Sequence, residues 1–65
     1  MLTGYVKKWD YSNGWGFIES DDDGYDYFFN ISNVRKGIRL KEGLSVKFDL
    51  FEGQKGPEAE NVSIV

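Results

Sequence analysis

Between residues 44 and 50, Leu44, Val46, Phe48 and Leu50 alternate with Ser45, Lys47 and Asp49, and only an extended chain places residues i and i+2 on one face. A period of two with one apolar and one polar side belongs to an antiparallel strand that covers a core and faces water. Turn signals recur at short intervals elsewhere, at Ser12-Asn13-Gly14, Asp23-Gly24 and Gly53-Gln54-Lys55-Gly56-Pro57. They divide the chain into five short strands, predicted at about 2–10, 14–20, 25–31, 44–52 and 58–65. The first two turns join a three-stranded meander. Residues 32–43 form the only long connection, with too few helix signals for more than a short turn, and Val34 and Leu40 are expected to tuck it onto the core.

A chain of 65 residues is expected to be one domain, residues 1–65, and at that size about 60% of the unfolded chain's surface is buried. It is too short for two packed sheets. The strand order of a meander, a crossing loop and a final hairpin therefore predicts an all-β fold: a small five-stranded antiparallel barrel, closed or nearly so.

The sequence holds no cysteine and no histidine, which removes disulfides, thiolate metal sites and the commonest general base. Only Ser, Lys and carboxylates remain for catalysis, with no base and nucleophile paired in the sequence, so no enzyme and no cofactor is expected. Asp21-Asp22-Asp23-Gly24 reads as a solvated hairpin loop. A calcium loop would need further carboxylates at set spacing and a closing Glu. No apolar run approaches membrane-spanning length, and Met1-Leu2-Thr3 lacks the charged and apolar regions of a signal peptide. A cytoplasmic protein without a membrane partner is the expectation.

Net charge is −3, which taken alone speaks against a nucleic-acid partner. Its distribution reverses that inference. Five of the 11 acids (Glu19, Asp21, Asp22, Asp23, Asp26) crowd into residues 19–26, leaving 8 basic against 6 acidic side chains elsewhere. Arg35, Lys36, Arg39 and Lys41 put four cations beside the single acid Glu42 in the long loop. Such a cluster is either an ordinary solvated loop or a grip on phosphate and base.

Aromatic placement is the sharper signal. Nine of the 11 aromatics fall within the first 29 residues, more than so small a barrel can bury. In Asn13-Gly14-Trp15-Gly16-Phe17-Ile18, Trp15 and Phe17 share a strand face while Ile18 takes the other as a core anchor. In Tyr27-Phe28-Phe29-Asn30-Ile31 the same logic sends Phe28 and Asn30 outward with them and leaves Tyr27 and Phe29 for the interior. A paired aromatic platform on an outward sheet face is suited to stacking unpaired bases, because every base has a π-face.

These residues resemble those of bacterial cold-shock proteins, and the resemblance runs the length of the chain. Gly14-Trp15-Gly16-Phe17-Ile18-Glu19 is similar to the family's first ribonucleoprotein motif, Lys-Gly-Phe-Gly-Phe-Ile. Tyr27-Phe28-Phe29-Asn30-Ile31-Ser32 is similar to its second, Val-Phe-Val-His-Phe-Ser, and Glu52 to Val62 resembles its closing hairpin. The resemblance implies a cold-shock domain over residues 1–65, with a five-stranded OB-type, Greek-key barrel. It further implies binding of single-stranded RNA or DNA and an RNA-chaperone or antiterminator role. Position by position it assigns base stacking to Trp15, Phe17 and Phe28, sets Trp9 at the edge of the platform, and gives strand contacts to Lys7 and Lys55.

The departures are specific. Lys8 stands where the family carries an exposed tryptophan, Asn13 where it carries lysine, Asn30 where it carries a stacking histidine and Ile31 where it carries phenylalanine. The long loop is shorter than the family's and has Gly37 and Ile38 in place of its usual aromatic. Each ring lost from a stacking position costs about 1–3 kcal/mol, so binding weaker than that of typical members is expected. Lys8, Arg35, Lys36 and Arg39 add charge where the family adds rings. The alternative is a drifted cold-shock fold serving as a protein-interaction or inhibitor module. An SH3-like peptide binder ranks lower, for the chain has neither the Ala-Leu-Tyr-Asp-Tyr run nor paired tryptophans. A monomer is expected, with exposed strand edges as the route to a swapped dimer.

Overall fold

A computed structural model describes residues 1–54 and 56–65. Five strands, β1 (Leu2–Asp10), β2 (Trp15–Ser20), β3 (Asp26–Asn30), β4 (Ser45–Gly53) and β5 (Gly56–Ile64), close into a barrel in the order β1-β2-β3-β5-β4. Neighbours pair antiparallel except β3 and β5, which meet in parallel at the single pair Phe28 and Glu58. The all-β, OB-type barrel expected from the sequence is therefore the architecture observed. None of the described helical segments is long and apolar enough to cross a membrane.

The core consists of Val6, Ile18, Tyr27, Phe29, Val46, Phe48, Ala59 and Val62. Tyr27 and Phe29 point inward, and Val34 and Leu40 pack the long connection against the core, as the alternation requires. A single 3-10 turn, η1 (Ile31–Asn33), starts that connection. Asn30 caps it by accepting the Ser32 N–H, while Asn33 accepts the Asn30 N–H.

Strand ends after β1 shift by one or two residues from expectation, and one side chain differs in burial. Residues 56 and 57, expected in the last turn, are already strand, since Pro57 pairs with Glu52 and Gly56 with Gly53. Leu50, expected on the buried face, is 39% exposed. Its partner across the ladder is the small Ala59; between the pairs Lys47–Ser63 and Asp49–Glu60, β5 spends two residues against one, and Asn61 takes a positive φ of 53°. Such a bulge re-aims side chains. It spaces the buried Ala59 and Val62 three apart rather than two.

The acidic hairpin is knitted to its own neighbours. Asp23 accepts the Tyr25 N–H at 2.9 Å and the Tyr27 hydroxyl at 2.7 Å. These bonds, the Tyr25 amide foremost, hold its carboxyl below the ordinary value. Thr3 donates to Asp21 at 3.0 Å.

Candidate nucleic-acid interface

The β2–β3 register builds the outer face. Phe17 is the partner of Phe28, Trp15 of Asn30, and across β1 Lys8 is the partner of Phe17. Partners in an antiparallel ladder share a face, so Trp15, Phe17 and Phe28 form one cluster of half-buried rings. Trp15 and Phe17 meet edge to face at 5.9 Å, Phe17 and Phe28 likewise at 5.8 Å, and Trp15 lies at 22° to Phe28 with centroids 6.4 Å apart. Each ring is thus fixed by two others, an arrangement that presents preorganised aromatic faces rather than mobile side chains.

Trp9 does not join this platform. It is the partner of Gly16 and stacks on the buried Phe29 with centroids 5.4 Å apart and planes 10° from parallel. The cause is a bulge in β1: Val6 pairs with Ile18 but Lys8 with Phe17, so Lys7 is an extra residue. Lys8 consequently takes the outer face and Trp9 the inner one. Trp9 instead floors a groove of about 940 Å³ under the long loop, with Tyr11 and Ile31.

Lys7 is likewise drawn away. Its ammonium pairs with Glu19 at 3.2 Å and Asp26 at 3.2 Å. Those two hydrogen bonds, Glu19 foremost, raise its pKa, and Glu19 also accepts the Tyr5 hydroxyl at 3.0 Å. Asn30 faces outward beside Trp15, but its side-chain oxygen is occupied by Ser32. Asn13 is bound to Asp10, its amide donating at 2.8 Å and its N–H at 3.1 Å. Arg35, Lys36 and Arg39 are exposed on the rim of the Trp9 groove, and the Arg35 N–H donates to the Val62 carbonyl at 2.9 Å, fixing the loop to β5. Lys55 lies outside the described residues.

Two residues not singled out in the sequence complete the face. Phe51 and Glu58, partners across β4 and β5, line a second groove with Phe28 and Asn30. The adjacent apolar pair Leu50-Phe51 carried the available signal, since consecutive residues of a strand cannot both face the core.

A closed five-stranded β-barrel with a rigid three-ring cluster on its outer sheet defines a class of small binding domain whose surface rather than interior meets the ligand. The family model described as the "'Cold-shock' DNA-binding domain" matches residues 2–65. The chain is 46% identical over 65 residues to the cold shock protein ScoF of Streptomyces coelicolor, covering 97% of each. It is 45% identical over 65 residues to the cold shock-like protein CspLB of Listeria monocytogenes, again covering 97% of each. A cold shock-like protein of Thermotoga maritima is 42% identical over 66 residues, covering 98% of each. The chain belongs to the cold-shock domain family, whose members are generally nucleic-acid-binding proteins.

Proposed function

We propose that this protein is a cytoplasmic, monomeric binder of single-stranded RNA or DNA with RNA-chaperone-like action, and not an enzyme. Bases stack on Trp15, Phe17 and Phe28, while Lys8 and the loop cations Arg35, Lys36 and Arg39 offset the phosphates. The observation that carries this reading is the mutual packing of three partly exposed rings at centroid distances of 5.8–6.4 Å, for which the barrel core supplies no need. Unpaired bases offer both faces to such rings, whereas a duplex offers none.

Affinity below that of ring-richer relatives follows from the same residues. Lys8 is an exposed cation beside Phe17, Asn30 spends its side-chain oxygen on capping η1, and Trp9 is committed to Phe29. The test is titration of tryptophan emission with short oligothymidine, mixed-sequence RNA and duplex. Quenching by the single strands with little response to duplex is expected. Unchanged emission with every single strand at low salt would turn this face into a protein-interaction surface.

A further inference from the structure

The turn between β1 and β2 holds the sequence's one Asn-Gly step, Asn13-Gly14. Asparagine is chemically labile. Its weak point is the backbone nitrogen of the next residue, which attacks the side-chain amide carbon when no side chain stands in the way. Asn30, Asn33 and Asn61 are followed by the β-branched Ile31, Val34 and Val62, whose bulk beside the backbone shields that nitrogen. Gly14 offers no such shield, and the turn needs it, since φ there is 74°. Asn13 is exposed, so water reaches the site.

A single residue holds the reacting groups. The Asp10 carboxylate accepts the Asn13 side-chain amide at 2.8 Å and the Asn13 N–H at 3.1 Å. Its carbonyl oxygen accepts the Gly14 N–H at 2.8 Å. The nucleophilic nitrogen and the leaving amide are thus both committed to Asp10. Attack breaks the first of these bonds when the Gly14 nitrogen loses its proton and turns towards Asn13 Cγ, and the second when the side chain leaves the carboxylate.

The product undoes the turn. A carboxylate at position 13 has no proton to donate, and it faces the Asp10 carboxylate across the former hydrogen bond, where like charges repel. In the isoaspartate form it also inserts a methylene into the backbone just before Gly14. The Gly14 carbonyl accepts the Ile31 N–H at 2.8 Å and ties the turn to the start of η1, so the disturbance reaches both sides of Trp15.

We propose that Asn13 is a site of spontaneous deamidation, with Asp10 as the positioning residue that slows it in the folded chain. The Gly14 nitrogen, its proton lost to solvent, bonds to Asn13 Cγ. The Cγ–Nδ2 bond breaks, and ammonia leaves with a proton from water. Water then opens the succinimide at either carbonyl, giving aspartate or isoaspartate. No step involves a nucleic acid, so the proposal stands apart from the single-strand reading.

The experiment incubates the full chain, Asn13→Gln, Asp10→Ala and Asp10→Asn in warm, mildly alkaline buffer below the melting transition, and in parallel in urea. Intact mass and peptide mapping follow the conversion of amide to acid. The folded parent should convert slowly, at Asn13 alone, to a mixture of aspartate and isoaspartate, and the aged chain should melt lower than the fresh one. In urea, where Asp10 no longer holds the turn, conversion should be several-fold faster. Folded Asp10→Ala should approach the urea rate, Asp10→Asn should fall between because it keeps only one side-chain acceptor oxygen, and in urea the three should convert alike. Conversion at another residue, or conversion that persists in Asn13→Gln, overturns the site. A folded Asp10→Ala that ages as slowly as the parent overturns the role of Asp10. If Asp10→Ala fails to fold, Asp10→Asn decides in its place, and a parent that ages as fast folded as in urea overturns that role equally.

Discussion

Gly16 lies against the ring of Phe29, so closely that a Cβ on Gly16 would stand 2.9 Å from Phe29 Cζ and would overlap the Lys8 carbonyl oxygen. The glycine between Trp15 and Phe17 is therefore a packing requirement of the core face, which in turn leaves both rings on the outer one. Gly16→Ala should destabilise the fold by about 1–3 kcal/mol through overpacking. Chemical denaturation checks this, with the midpoint falling while the m-value holds.

The neighbours Phe28 and Phe29 should behave oppositely. Phe29 is fully buried, and Phe29→Ala should cost about 3–5 kcal/mol of stability. Phe28→Ala, and Phe17→Ala with it, should leave a folded domain and weaken single-strand binding by about 1–3 kcal/mol. Thermal melts paired with binding titrations separate the two outcomes. A collapsed Phe28→Ala beside an unaffected Phe29→Ala would reverse the assigned facing.

Salt dependence reports which cations meet phosphate. For single strands the slope of log K against log salt is about −0.7 per neutralised phosphate. Replacing Arg35 and Lys36 together by Ala should flatten it by roughly 0.7–1.4. Glu19→Gln with Asp26→Asn, which frees the Lys7 ammonium from both ion pairs, should steepen it by about 0.7. Titrations at several salt concentrations give both slopes.

Acid should weaken the fold through the hairpin. The Asp23 carboxyl is held below its ordinary value of 3.8 by the Tyr25 N–H and the Tyr27 hydroxyl. A carboxyl depressed in the folded state contributes stability that is present above the unfolded value and lost as pH falls through the folded one. The melting temperature should accordingly drop on acidification below about pH 4, and Asp23→Asn should be less stable at neutral pH with a shallower acid loss. Identical acid profiles would deny Asp23 this role.

Facing was legible wherever the period of two ran unbroken. Trp15 to Ser20 and Tyr27 to Asn30 are such runs, so the platform rings and the buried Tyr27 and Phe29 follow from alternation anchored on Ile18. Bulges hid the rest, because one extra residue exchanges the faces of all that follow. The unpaired Lys7 sends Lys8 outward and Trp9 inward, and the extra residue near Asn61 sets the buried Ala59 and Val62 three apart. Ion pairing was invisible for a different reason: Lys7 and Asp26 are 19 positions apart, and only the closed sheet brings them together. The groove lined by Phe28, Phe51 and Glu58 depends on the parallel β3–β5 pairing, a long-range contact that no local pattern encodes.

The central claim is that the Trp15, Phe17 and Phe28 rings stack unpaired bases, and amide and side-chain chemical shifts during titration with a short single strand test it most directly. Saturable shifts centred on these three residues and Lys8, with Tyr5, Asp21 and Ser45 unmoved, are the predicted result. Saturating strand at low salt that leaves the three rings unshifted would contradict it.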